Sequence, residues 1–203
     1  MKLRIFTAAV ILISSILLIN NSLAQTVPPK VLSKIKARAK KEWPDDYKMQ
    51  ENTIDKQVEA YNELKKMKSV EGIPGDVLKQ IKSKAKKEWS DDYKMQLYAV
   101  NQQINAYSKT QSKHSAEQVP SGILKKIKAN ARDEWPDDFK MQAYTIDKQI
   151  ESYKEIQNMK TVSGVPDNIL SRIKGKAASE WPDDYIMQLY TINQQIESYE
   201  SSE

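Results

Sequence analysis

Apolar residues recur along this chain with helical spacing, and the pattern restarts every 46 residues. Val31, Leu32, Ile35 and Ala39 fall three and four apart, which places them on one face of a helix. The stripe returns as Leu78, Ile81 and Ala85, as Leu124, Ile127 and Ala131, and as Leu170, Ile173 and Ala177. A second stripe, Tyr47, Glu51, Ile54, Val58 and Tyr61, is made fully apolar in two of its copies by Leu97 and Leu189. The pattern predicts a short helix from about Lys30 to Glu42 and a longer one from the following corner to about Met67, four times over. At ~1.5 Å per residue these helices are about 18 and 33 Å long. The short helix cannot cover the long one, so the region around Val58 and Tyr61 needs a neighbour. A lone helix pair of this size also lies below the ~40 residues that usually fold unaided.

The expected fold is therefore all-α: an array of four 46-residue helical hairpins, stacked as a solenoid or a bundle. Its units are 27–72, 73–118, 119–164 and 165–203, the last with a truncated linker. Each opens on an apolar residue and a proline (Val27-Pro28, Ile73-Pro74, Val119-Pro120, Val165-Pro166), a helix-start signal because proline lacks an N–H that would have no partner there. Short polar segments at 69–72, 114–118 and 161–164 read as linkers. Units one and three share Asp-Lys at 55–56 and 147–148, and units two and four share Asn-Gln at 101–102 and 193–194. The array reads as a 92-residue pair copied once.

Between the two helices lies the block Glu42-Trp43-Pro44-Asp45-Asp46-Tyr47-Lys48-Met49-Gln50, which recurs from Glu88, Glu134 and Glu180. Pro44 and its counterpart Ser90 both favour a helix start. The aspartates, Asp45 and Asp46, Asp91 and Asp92, Asp137 and Asp138, Asp183 and Asp184, are expected in the first turn, where negative charge meets the helix dipole. Capping accounts for both aspartates of each corner. A Ca²⁺ site would need six to eight oxygens, typically with a glycine to turn the loop, and the corners lack that pattern. The four tryptophans, Trp43, Trp89, Trp135 and Trp181, are expected to pack under the corner; the alternative is a displayed platform for a sugar or peptide.

Thirteen positions are the same in all four copies, among them Lys36, Glu42, Met49, Gln50, Gln57 and Tyr61. Gln50 and Gln57 flank the apolar stripe and are expected as buried amides that bond the backbone of the next corner and set the register. Glu42 is expected to pair with Lys36 or to reach a tryptophan N–H. The short helices carry six, five, four and three basic residues in turn, a graded stripe that would suit an anionic envelope polymer or a membrane surface. Only Lys36, Lys82, Lys128 and Lys174 are held in every copy, and these are the candidate partner-binding residues.

Residues 1–24 resemble a signal peptide. Lys2 and Arg4 precede an apolar run from Ile5 to Ile19, and Ser22-Leu23-Ala24 predicts cleavage after Ala24. The protein is expected in the periplasm or outside the cell, with no membrane span after the leader. Loss of the leader would lower the net charge from +5 to +3, far from the charge of a dedicated nucleic-acid binder. There is no cysteine, which removes disulfides, lipobox anchoring, thiol catalysis and cysteine metal sites.

The corner block resembles a short Glu-Trp-Pro-Asp-Asp-Tyr/Phe-x-Met-Gln motif of uncharacterised secreted bacterial proteins. That resemblance spans residues 27–203 and implies a secreted helical hairpin, with no activity attached. In those proteins two cysteines often bracket the motif; Ala39 and Thr53 stand at about those places here. The only histidine, His114, lies in a linker, and the chain has no Gly-rich phosphate loop, nucleophile elbow or zinc-protease signature. No catalytic residue, metal or cofactor is assigned. The expected function is a protein-interaction scaffold whose partner is a protein or envelope component, with self-association as a further expectation. The alternatives are a binder of anionic polymer or membrane through the basic faces, and an enzyme or inhibitor built on the acidic corners.

Overall fold

The computed structural model describes residues 27–111 and 119–202. Among them are eight helices and no strands: α1 Pro29–Glu42, α2 Tyr47–Lys66, α3 Gly75–Glu88, α4 Tyr93–Gln111, α5 Ser121–Glu134, α6 Phe139–Asn158, α7 Asp167–Glu180 and α8 Tyr185–Glu200. The fold is all-α, with a 14-residue helix alternating with one of 16 to 20 residues. The leader at 1–24, the linker at 114–118 with His114, and Glu203 lie outside the described residues. No helix among the described residues is long and apolar enough to cross a membrane.

Each short helix starts alike. The proline stands at the N-cap, one position earlier than a first-turn proline, and the Pro28 carbonyl accepts from the Leu32 N–H at 3.0 Å. The apolar residue before it (Val27, Ile73, Val119 or Val165) is buried. Val27 packs in one cluster with Leu32, four residues into the helix, as a hydrophobic staple does. Two linkers begin with a tight turn: the Ile73 N–H bonds the Val70 carbonyl, and the Val165 N–H bonds the Val162 carbonyl, both at 3.1 Å. Gly72 and Gly164 hold the third turn position with φ of 75° and 80°, a left-handed geometry that strains any residue with a Cβ.

The chain divides into two compact units, residues up to Gln102 and residues from Gln103 on, with the division inside α4. In the first, α1 packs on α2 around buried Val27, Ile35 and Val58, and Tyr93 from the start of α4 joins that cluster. In the second, α5 packs on α6, α7 on α8, and α6 on α8. One core there is built on Ile127, Ala131, Ile146 and Ile150, the other on Leu170, Ile173, Ala177 and Ile192.

Candidate interaction site at the helix corners

The corner is shaped by bonds to the tryptophan carbonyl. In all four copies the tryptophan N–H closes the short helix by bonding the alanine carbonyl four residues back, Trp43 to Ala39 and Trp89 to Ala85 among them, at 2.9 or 3.0 Å. The tryptophan carbonyl then accepts from the glutamine seven residues on. Gln50, Gln96, Gln142 and Gln188 reach it at 2.7 to 2.8 Å. Gln50 thus ties its own corner, not the next one.

The aspartates are placed differently from the expected first-turn location. The second of each pair is the N-cap, and helix begins at the aromatic residue after it. Asp46, Asp92, Asp138 and Asp184 accept from the N–H three residues on, at 2.9 to 3.2 Å. A short carboxylate bonding this N–H satisfies a donor that the helix cannot use, which favours the cap over the first turn. The first aspartate lies in the turn itself, and Asp183 has a φ of 67°.

Successive corners are clamped by the second invariant glutamine. Gln57 donates to the Asp92 carboxylate at 2.8 Å and accepts from the Lys94 N–H at 3.2 Å. Gln103 does the same to Asp138 and Lys140, at 2.9 and 3.3 Å. Gln149 likewise donates to Asp184, at 2.9 Å, but accepts from the N–H one residue earlier than in the other two clamps, that of Tyr185, at 2.7 Å. An aromatic contact accompanies each clamp: Tyr61 on Tyr93, Tyr107 on Phe139 and Tyr153 on Tyr185, edge to face with centroids 5.1 Å apart. Sequence reasoning anticipated a bond to the next corner's backbone, but not the carboxylate beside it.

Basic residues of the short helix take part in the first and third of these junctions. Lys34 pairs with Asp91 at 2.9 Å and Arg38 with Asp92 at 2.7 Å; Asp92 is 7% exposed. Lys126 bonds both oxygens of Asp183 at 3.0 Å, and Asn130 donates to the Asp183 carbonyl at 3.4 Å. The hydrogen bond to Asp91, and the charge behind it, hold the Lys34 ammonium above the usual lysine range. Burial, helped by Asp91 and Asp183, pushes the hydroxyls of Tyr93 and Tyr185 up.

The four invariant lysines are not alike. Lys82 is half-buried and donates to the Leu64 and Met67 carbonyls at the end of α2, at 2.7 and 2.9 Å. Lys174 does the same to Ile156 and Met159 at the end of α6, at 2.7 and 3.2 Å. Both ammonium groups are engaged within the fold, where they satisfy open carbonyls and the negative end of the helix dipole. Desolvation, with Lys65 nearby, holds Lys82 below the usual lysine range. Lys36 is exposed and Lys128 half-buried. Glu88 lies 3.9 Å from Lys84, four residues before it.

The tryptophans are partly covered, to differing degrees. Trp43, Trp135 and Trp181 are half-buried, with indole nitrogens that are shielded and have no hydrogen-bond partner, while Trp89 is 40% exposed. Trp43 lines a cavity of about 200 Å³ with Arg38, Met49, Lys56, Gln57 and Asp92. No group of three or more His, Asp or Glu among the described residues is placed to hold a metal ion. A feature missed from sequence lies one turn beyond each corner: Tyr98, Tyr144 and Tyr190, 46 residues apart, are 58–59% exposed. The first copy holds Asn52 there, so a search for unvarying positions passes over it. No family model, curated protein or solved structure matches the chain.

Proposed function

We propose that the protein is a secreted or periplasmic, non-enzymatic array of four helical hairpins that works as an interaction scaffold. The observation that carries this reading is the recurring clamp: Gln57, Gln103 and Gln149 each donate to the capping aspartate of the next corner and accept from a backbone N–H beside it. Among the unvaried polar residues, Gln57, Gln103 and Gln149 are spent on the capping aspartates of the next corner, and Gln50, Gln96, Gln142 and Gln188 on their own tryptophan carbonyls. What remains displayed at a repeated position is the set Tyr98, Tyr144 and Tyr190, aromatic groups that anchor partners well because they bury large area at low entropic cost. A cell-envelope protein is the partner that fits. The basic faces are a weaker anchor for polymer, since Lys34, Lys82, Lys126 and Lys174 bond within the fold.

A photo-reactive side chain at 98, 144 or 190 tests the reading in cells. It is expected to give discrete adducts that are absent with the same group at Lys56 or Asp147. Identical smears from both sets would count against it. Salt-sensitive retention on anionic polymer, unaffected by replacing the tyrosines, would move the choice to the basic faces.

A further inference from the structure

Two surfaces of this molecule are the two halves of a junction that it already makes internally. The donor half is a corner: two aspartates and an aromatic ring at a helix N-terminus. The receiving half is a patch of the preceding hairpin. In the first unit that patch is Lys34, Arg38, Gln57 and Tyr61, with Val31 and Ile35 beneath, and it takes Asp91, Asp92 and Tyr93. In the second unit Lys126, Asn130, Gln149 and Tyr153, with Ile123 and Ile127, take Asp183, Asp184 and Tyr185.

The same register positions of the last hairpin are Arg172, Lys176, Gln195 and Tyr199, with Ile169 and Ile173. These six residues line an open cavity of about 670 Å³. The two cationic positions match Lys34 and Arg38 in sign, the amide matches Gln57 and the ring matches Tyr61. At the other end, Asp45 and Asp46 are exposed and Tyr47 is 79% exposed, whereas Asp92 and Phe139, which sit in junctions, are each 7% exposed. The Asp46 carboxylate already caps α2 through one oxygen, as Asp92 caps α4 while bonding Gln57 and Arg38.

We propose that the C-terminal patch of one chain receives the Asp45-Asp46-Tyr47 corner of a second copy, giving head-to-tail association. Arg172 and Lys176 take the aspartates, Gln195 takes the Asp46 carboxylate and the N–H of Lys48, and Tyr199 takes the Tyr47 ring edge to face. Such an interface is heterologous: each chain offers one donor corner and one receiving patch, so association continues or closes into a ring. Opposite charges at the contact make it salt-sensitive. The inference rests on the repeated-hairpin reading, since it transfers a contact from one register to another.

Sedimentation velocity of the purified protein across a wide concentration range tests it. Association is expected to rise with concentration and fall with salt. The variant D45K/Y47A loses the donor corner and R172E/K176E loses the receiving patch; each is expected to weaken association at least about tenfold, with helical circular dichroism unchanged. Neither pair touches the core, and each variant retains the other half. An equimolar mixture of the two is therefore expected to form a one-to-one dimer that neither forms alone. A wild-type chain that stays monomeric throughout would overturn the proposal, as would association that survives both variants, or a mixture that fails to dimerise. Adducts at Tyr98, Tyr144 and Tyr190 are read separately, so a monomeric chain that still forms them sinks only the head-to-tail contact.

Discussion

Gln57 and Asp92 stand 35 residues apart in sequence and 2.8 Å apart in the fold, in a contact where one amide meets both a carboxylate and a backbone N–H. Gln57 is 4% exposed, so its removal leaves polar groups with little water to turn to. Gln57→Ala is expected to lower unfolding stability by about 2–3 kcal/mol. Gln57→Glu, which keeps the shape and sets a carboxylate against Asp92, is expected to cost more. Urea unfolding of the two variants gives the order; the reverse order would mean that packing, not hydrogen bonding, matters at this site.

The two ion pairs of the first junction should differ in strength. Lys34 and Asp91 are both about half exposed, whereas the Asp92 side chain is almost wholly shielded. A double-mutant cycle on Lys34–Asp91 is expected to give a coupling too small to measure in high salt and weak at low salt. The Arg38–Asp92 cycle should give about 1–2 kcal/mol, with part of it surviving salt. Equal couplings would contradict the burial difference.

Lys82 and Lys174 are helix-end donors, and their replacement should be felt as lost stability. Lys82→Met and Lys174→Met are each expected to cost about 1–2 kcal/mol. Lys36→Met, at an exposed position, should stay within about 0.5 kcal/mol. Thermal unfolding separates the two classes; a uniform response would remove the capping role.

Alkaline pH should open the junctions at their aromatic contacts. Tyr93 and Tyr185 hold their protons more tightly when folded, through burial and then through Asp91 and Asp183. Between the unfolded value near 10 and the raised folded value, the native state binds more protons than the unfolded chain, so stability falls as pH rises. Below pH about 10 this contribution is fully present. The double variant Y93F/Y185F copies the natural Phe139, cannot ionise there, and is expected to move the alkaline unfolding midpoint upward. An unchanged midpoint would show that other groups govern it.

Helix extents were largely legible in the sequence, because apolar spacing and breakers report them directly. The pattern predicts a helix over about 30–42 and the fold has one at Pro29–Glu42; the next ends at Lys66, one residue short of Met67. The corner was less legible. Asp45 and Asp46 look equivalent as letters, yet only Asp46 has the reach to its own third N–H, so it caps while Asp45 turns. Lys82 illustrates a deeper limit. Hydropathy places every lysine outside, whereas a long stem lets the ammonium reach carbonyls at the end of another helix. The displayed tyrosines escaped because sameness between copies reveals what the fold needs and passes over positions that one copy lacks.

The 46-residue spacing of the clamp makes chain length a variable that this architecture can change without inventing a new contact. An in-frame excision of one period would bring Gln57 to a corner bearing Asp138, Phe139 and Lys140 in place of Asp92, Tyr93 and Lys94: the same carboxylate, another ring and another backbone N–H. A cut one residue shorter or longer would turn the receiving face about 100° away from its corner, since an α-helix advances ~3.6 residues per turn. Copying errors are thereby sorted by arithmetic. Whole multiples of 46 keep the clamp in register, and any other length breaks it.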